Sequence, residues 1–585
     1  MLAVNVLFSG IRIAPSVMNK GDQAVKRAIM QIIGLSSDDA RSVEVTRRSI
    51  DARKKADIAY VVSAVADVDD RIAKAYLKND HDPSAGNRPS RSHSNGNGSS
   101  LPLPSGVSAR PFEQPTPLNI PDLSSGRLDE AQRPLIVGAG PAGLFCALYL
   151  ARAGLKPMLI ERGEAVSARE RTIARFIETG ELDPNSNIQF GEGGAGTFSD
   201  GKLTTGTKSP FARFILEEFV SAGAPESILV DAKPHVGTDY LGIVVSTLRQ
   251  RIEEAGGIVR FNTLLEGIDI DIDPRGGRVI KGALLRDLAK DEPYCFPTDR
   301  IVLALGHSAR DTYEMLKGHA VMLERKPFAI GARIEHPQAL IDQAQYGNAA
   351  SLLPPADYKL AMHTSEGRGV YTFCMCPGGE VVASASEEGG VCVNGMSRYA
   401  RDGRQANSAL LVEVHPSDLA GEDVLAGMYL QRDLEQRAYE MAQQAGAYAA
   451  PISRVGDFLA PSSRIGEAAS LDVRPTYPRG VRSVSFDELF PSFVIDAMRE
   501  ALPLFDRRLR GFAHPDAVMT APEARSSAPV RIIRDPQSLC SANTQGLYPT
   551  GEGAGYAGGI MSAAADGLKV ASRIVDGLCE AKEDA

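Results

Sequence analysis

The chain has 585 residues, 43% of them hydrophobic, and a net charge of −9. That length supports several cores, and the overall acidity excludes a polyanion binder built on bulk charge. Seven cysteines, at 146, 295, 374, 376, 392, 540 and 579, include no C-x-x-C pair, which suits a reducing compartment and excludes a disulfide scaffold.

The opening MLAVNVLFSGIRI is apolar but lacks a basic flank and a long apolar stretch, so no signal peptide is expected. No apolar run reaches a membrane-spanning length, and a cytoplasmic location is expected. Residues 1–78 carry 13 Lys and Arg against nine Asp and Glu, a net +4 that leaves −13 for the remainder. FSGIRI, RSVEVTRRSI and ADIAYVVSAV alternate like strands, while Lys20–Gly34 and Asp69–Lys78 have helical spacing. The resulting β-α-β-β-α order predicts a small α+β domain of ferredoxin-like type over 1–78. Its RRSIDARKK stretch, Arg47 to Lys55, holds five cations and one acid. A solvated or docking face is the expected role, and nucleic-acid contact the weaker alternative. Residues 79–130, dominated by Ser, Asn, Gly and Pro, predict a flexible linker.

At Arg133 the character changes to α/β. GAGPAG, Gly138 to Gly143, follows the apolar strand PLIV and opens the helix GLFCALYLARAG; a second strand, PMLI, ends in Glu161. Gly138 permits the tight turn, Gly140 lets backbone approach a pyrophosphate, and Gly143 lets helix pack on strand. The helix N-terminus then faces phosphates, and Glu161 accepts from ribose hydroxyls. A second match, GEGGAG at Gly191–Gly196, has no strand before it and only polar, turn-rich sequence after it. It predicts a loop lining a cofactor rather than a second dinucleotide site. Near the C-terminus, GLYPT, GEGAGYAGG and IMSAAADGLKVASRIVDG repeat the order of strand, glycine turn and helix. This third turn lacks a downstream acid and predicts a second helix start against the same cofactor.

IVGAGPAGLFCALYLARAGLKPMLIERG, VLALGHSARD and YPTGEGAGYAGGIMSAAADG together resemble the glutathione-reductase-type FAD fold. With NIQFGEGGAGTFSDGKL, KPHVGTD, FCMCPGG, NGMS, EARSSAPVRIIRD and RRSIDARKK they resemble a family of bacterial FAD-dependent dehydrogenases, also described as NAD(FAD)-utilising oxidoreductases. The resemblance implies FAD as cofactor, its ADP half on the first motif and its ribityl chain and flavin on the last. It puts cofactor contacts on Gly138, Gly140, Pro141, Ala142, Gly143, Glu161, Arg162, Gly191, Gly193, Gly194, Lys202, Gly306, Gly551, Glu552, Gly558, Gly559 and Ile560. Two positions depart from the wider fold: Glu552 stands where Asp is usual, and LALGHS, with Leu305 and His307, stands where A-T-G is usual.

Other residues offer chemistry more weakly. Cys374 and Cys376 share one face of a strand, and VYTFCMCPGG reads as a buried strand ending in a turn, so a structural role is expected over a redox one. His235 and His307 are the acid/base candidates, with a turn role favoured for His235. Arg525, Arg531 and Arg534 either bind an anionic substrate or NADPH phosphate, or pair with Glu523 and Asp535. No metal is expected.

The expected architecture is a three-layer Rossmann-like FAD domain with a parallel sheet (131–310 and 527–585), into which a mixed α/β substrate or cap domain (311–526) is inserted. Long helical stretches are expected at 422–446 and 491–512. The expected function is an FAD-dependent oxidoreductase acting on a small molecule, with NAD(P)H docking transiently because no second complete dinucleotide fingerprint is present. Two alternatives stand beside it: a flavin-dependent RNA-modifying enzyme, and a non-enzymatic flavin redox sensor or assembly factor.

Overall fold

A computed structural model describes residues 3–77, 102–124, 133–204, 206, 209–459 and 471–583. The described chain forms two compact units. The first gathers Met1–Pro117 with Glu226–Pro234 and Gln345–Pro354, and the second holds the remainder.

In the first unit, Ala3–Ile13, Ala40–Asp51 and Ala59–Asp69 form an antiparallel sheet, with the helices Asp22–Ile33 and Asp70–Leu77 packed on it. Val25, Ile29 and Ile33 of the first helix, one turn apart, are buried with Phe8, Ile11 and Tyr76. A fourth strand, Ser108–Pro111, pairs antiparallel with Ala3–Ile13 and completes a β-α-β-β-α-β order. That strand lies inside the stretch expected to be linker, so the unit runs past the expected boundary at 78. Of the expected linker, 79–101 and 125–130 lie outside the described residues. The strand's pattern escaped notice because four residues between prolines carry no readable period. Arg48 bonds Val230 and Ala232 through its backbone, so Val230–Ala232 extends the sheet past the edge strand Ala40–Asp51. Within the basic stretch, Arg48 pairs with Asp231 and Arg53 with Asp51.

In the second unit, a five-stranded parallel sheet runs Leu547–Pro549, Ile301–Leu303, Leu135–Val137, Met158–Ile160, Ile258–Arg260. Four of these strands are short, apolar and buried at nearly every position, as parallel strands covered on both faces must be. The helices Pro141–Arg152 and Ile560–Glu583 lie against one another, close enough that a methyl on Gly567 would strike the backbone of Ala142. An antiparallel meander, Thr263–Ile272, Arg278–Asp287 and Glu292–Pro297, follows in the chain. The segment 327–526 builds a seven-stranded mixed sheet around Phe328–Pro337 and Gln405–Val414, with helices Ala426–Ala442 and Ser492–Arg508 inside the expected stretches. The mixed α/β architecture with a parallel Rossmann-like sheet is therefore as expected. Among the described residues, no helix is long and apolar enough to cross a membrane.

Candidate active site

The three glycine turns come together. Gly138, with φ +104, ends the strand Leu135–Val137, and a methyl on it would lie 2.6 Å from the Ala304 carbonyl oxygen. A methyl on Gly194 would lie 3.3 Å from Cα of Gly140, and one on Gly196 would lie 3.3 Å from the Ile560 side chain. One on Gly551 would lie 2.8 Å from Ala142 Cβ. The second turn thus sits between the first and the third, and Leu305 closes the group by accepting from the Gly553 amide at 3.0 Å.

These glycines divide into two kinds. At Gly138, Gly143, Gly551, Gly553 and Gly567 a side chain would strike packed neighbours, so these serve close packing. At Gly140, Gly306, Gly558 and Gly559 a Cβ would meet nothing within 4 Å. The open set, in the first and third turns and at Gly306 after the strand Ile301–Leu303, is a strip of bare backbone. A flat or phosphate-bearing group fits such a strip, and the residues expected to hold FAD supply it.

Glu161 does more than was expected of it. Its carboxylate accepts from the amides of Ala139 (2.8 Å), Gly163 (3.1 Å) and Gly191 (2.9 Å), so it ties the first turn to the second. Three of its roughly four acceptor positions are therefore used by backbone, a role the ribose expectation did not include. Arg162 pairs with Asp311 at 2.7 Å and lies 4.4 Å above the Phe190 ring. Pro141 and Ala142 form the first turn of the fingerprint helix.

Sequence reasoning missed Arg169. This fully buried residue of the helix Val166–Thr179 donates to four carbonyls in and just before the second turn: Asn187 (2.7 Å), Ile188 (2.9 Å), Glu192 (2.7 Å) and Gly194 (3.0 Å). Burial pulls its pKa down to about 10, against the raising influence of Glu161 and Glu192, so it stays protonated at neutral pH. An arginine on an amphipathic helix reads as a surface residue, and only its buried position betrays it.

His307 and Glu552 meet at this site, with Nε2 3.6 Å from Oε1. Burial, then the charges of Arg525 and Arg310, push His307 down to about 3, so the pair is not ionic at neutral pH. Burial raises Glu552 to about 7, opposed by Lys326. Behind His307, the buried Glu435 carboxylate is held by both Arg310 (2.9 Å to each oxygen) and Arg525 (2.7 and 2.6 Å), and these two cations hold it well below the usual carboxylate range. Arg310 also reaches Glu387 at 2.6 Å.

The remaining candidates divide. His235 stacks on Tyr399 at 5.1 Å, and its Nε2 meets the Tyr399 carbonyl at 3.0 Å. Arg525, Arg531 and Arg534 are all paired, but with Glu435, Glu324 and Asp566 rather than with Glu523 and Asp535. Cys374 departs from the buried-strand expectation. The strand Gly369–Cys376 shifts register after Phe373, Cys374 turns to φ +42 and its side chain is exposed, while Cys376 stays buried. Lys202, six residues after the second turn, donates to the Met375 carbonyl between them, and Arg333 donates to that of Cys374 at 2.8 Å.

Three segments of the chain match models of known protein families. Residues 327–526 match the family described as FAD-dependent protein, C-terminal domain-like, and 136–191 match an NAD(P)-binding Rossmann-like domain. Residues 9–66 match a domain of unknown function. An uncharacterized protein of Clostridium beijerinckii is 43% identical over 555 residues, 94% of this chain and 96% of that protein. Among solved structures, a geranylgeranyl bacteriochlorophyll reductase-like protein of Thermoplasma acidophilum is 14% identical, over 77% of this chain and 79% of its own, with a TM-score of 0.34. A flavoprotein/dehydrogenase of Cytophaga hutchinsonii is 12% identical, over 76% and 79%, with a TM-score of 0.31. The matches bear out the FAD-dependent part of the family resemblance; they do not extend to its glutathione-reductase-type part.

Proposed function

The chain belongs to the same family as the Clostridium beijerinckii protein, matches an FAD-dependent protein family over 327–526, and is an FAD-binding oxidoreductase; from that premise we propose that it carries electrons from a transiently docked nicotinamide nucleotide to a small organic substrate. The observation that carries the reading is the strip of bare backbone at Gly140, Gly306, Gly558 and Gly559, set between packed glycines that fix its shape.

In this reading Gly138–Gly143 and the start of the fingerprint helix bind the cofactor's diphosphate, with Glu161 and Arg162 toward its adenosine end. The turn at Gly191, Gly193 and Gly194, with Lys202 behind it, holds the middle. Gly551, Glu552, Gly558, Gly559 and Ile560 hold the far end, where the N-terminus of the helix Ile560–Glu583 presents positive partial charge. Bound FAD supplies reversible two-electron chemistry at the hydride level. Glu552 Oε1, raised to about 7, holds or releases a proton within the working pH range, and neutral His307 stands beside it as an acceptor. A single complete dinucleotide fingerprint in the described chain supports transient rather than resident binding of NAD(P)H.

The visible spectrum of the purified protein, followed anaerobically after NADH and then NADPH, tests this. Rapid bleaching by one of them is the expected result. A flavin that neither reduces would overturn the nicotinamide step and favour a substrate-driven dehydrogenase.

A further inference from the structure

Arg169 touches the second glycine turn only from behind, yet four of its contacts are backbone oxygens and none is a carboxylate. The nearby acids are occupied: Glu161 accepts from three amides, and Glu192 accepts from Val166 N and Arg249 Nε, each at 2.8 Å. The guanidinium is thus a buried cation solvated by a cage of carbonyls, and the Phe198 ring lies 4.8 Å from it. Gly191 is part of that cage, since any side chain there would collide with the Arg169 stem.

The peptide unit is planar and trans, so its C=O and N–H point in opposite directions. The Glu192 carbonyl faces Arg169, and the Gly193 amide on the other side of that peptide donates to the Ala139 carbonyl in the first turn at 2.8 Å. Gly194 repeats the pattern: its carbonyl faces Arg169 at 3.0 Å, which turns the Ala195 amide away from the guanidinium. Gly194 lies against Gly140, and Gly196 against Ile560. Ala195 is the second residue of the short helix Gly194–Phe198, and the first amides of a helix have no acceptor within it.

Resting on the FAD reading above, we infer that Arg169 is a positioning residue that aims the Ala195 N–H at the bound cofactor. Two alternate amides of the turn then have distinct uses: Gly193 N–H fastens the turn to the fingerprint, and Ala195 N–H is left for the ligand. Loss of the guanidinium frees the Gly194–Ala195 peptide to rotate, and a rotated peptide would present an oxygen where a donor stood.

The full-length protein, stripped of flavin and titrated with FAD, provides the test. Arg169→Met is expected to weaken FAD binding about tenfold or more, the equivalent of one misdirected hydrogen bond, and to shift the visible absorption band of the bound flavin. Arg169→Lys, which keeps the charge but makes fewer bonds, should recover part of both. Ala195→Pro removes the amide while keeping the Arg169 side chain, and should reproduce the loss even where Arg169→Met does not fold. Affinity and band position unchanged in Ala195→Pro would overturn the inference alone. Failure of the wild-type protein to take up FAD would overturn the functional reading and this inference together.

Discussion

Gly140 and Gly143 stand three residues apart in one turn and answer to different neighbours. A methyl on Gly143 would press into the backbone at Gly138, whereas one on Gly140 would enter open space. Gly143→Ala should therefore destabilise the fold by about 1–3 kcal/mol, read as a lowered denaturant midpoint. Gly140→Val should leave that midpoint nearly unchanged and abolish FAD uptake, read by flavin fluorescence. Equal effects of the two on stability would deny the division between packing and open glycines. Glu552 makes a pH prediction. Its folded pKa of about 7 lies above its ordinary 4.5, so the native state keeps a proton that the unfolded state releases in that window. Its contribution to stability falls as pH rises from 4.5 through 7, and Glu552→Gln should be the less pH-dependent protein across that range in urea titrations. At this scale the sequence was informative about glycines, because their spacing reflects local backbone need. It was uninformative about Arg169 and Glu435, whose meaning lies in burial.

The helix Ala426–Ala442 shows what period alone cannot reveal. Its apolar spacing placed it on the chain, but its buried face carries Glu435, which Arg310 and Arg525 clamp from 125 and 90 residues away. Such pairs have no local signature, so proximity in sequence points Arg525, Arg531 and Arg534 to acids other than their partners Glu435, Glu324 and Asp566. Glu435→Gln leaves two buried guanidiniums facing a neutral amide and should cost about 3–5 kcal/mol in unfolding free energy. Replacing Arg310, Glu435 and Arg525 together by Met, Leu and Leu should cost much less, because no charge is stranded. A triple variant as damaged as the single one would show that the cluster does more than satisfy its own charges. The strand Gly369–Cys376 is the complementary case: alternation located it, but the register shift after Phe373, which turns Cys374 outward, depends on its partner strand Gln405–Val414.

For the molecule as a whole, the cofactor and the Rossmann-like architecture were legible because strand, glycine turn, helix and acid must occur in that order to work. The extent of the first unit was not, because its fourth strand and its edge segment come from distant stretches of chain. A protein beginning at Leu118 would leave Val230–Ala232 without the strand that it bonds, and chymotrypsin should then cut after Leu229, where the full chain resists. Resistance at that bond in the shortened protein would mean that other contacts hold the segment.

That same edge segment imposes a timetable on biosynthesis. The strand Ala40–Asp51 leaves the ribosome about 180 residues before Val230–Ala232, roughly ten to forty seconds at ordinary elongation rates. Throughout that interval the nascent sheet displays a row of unpaired amides and carbonyls. Arg41, Arg47 and Arg48 on that strand give neighbouring nascent chains like charges, which discourages pairing between them until the proper segment emerges.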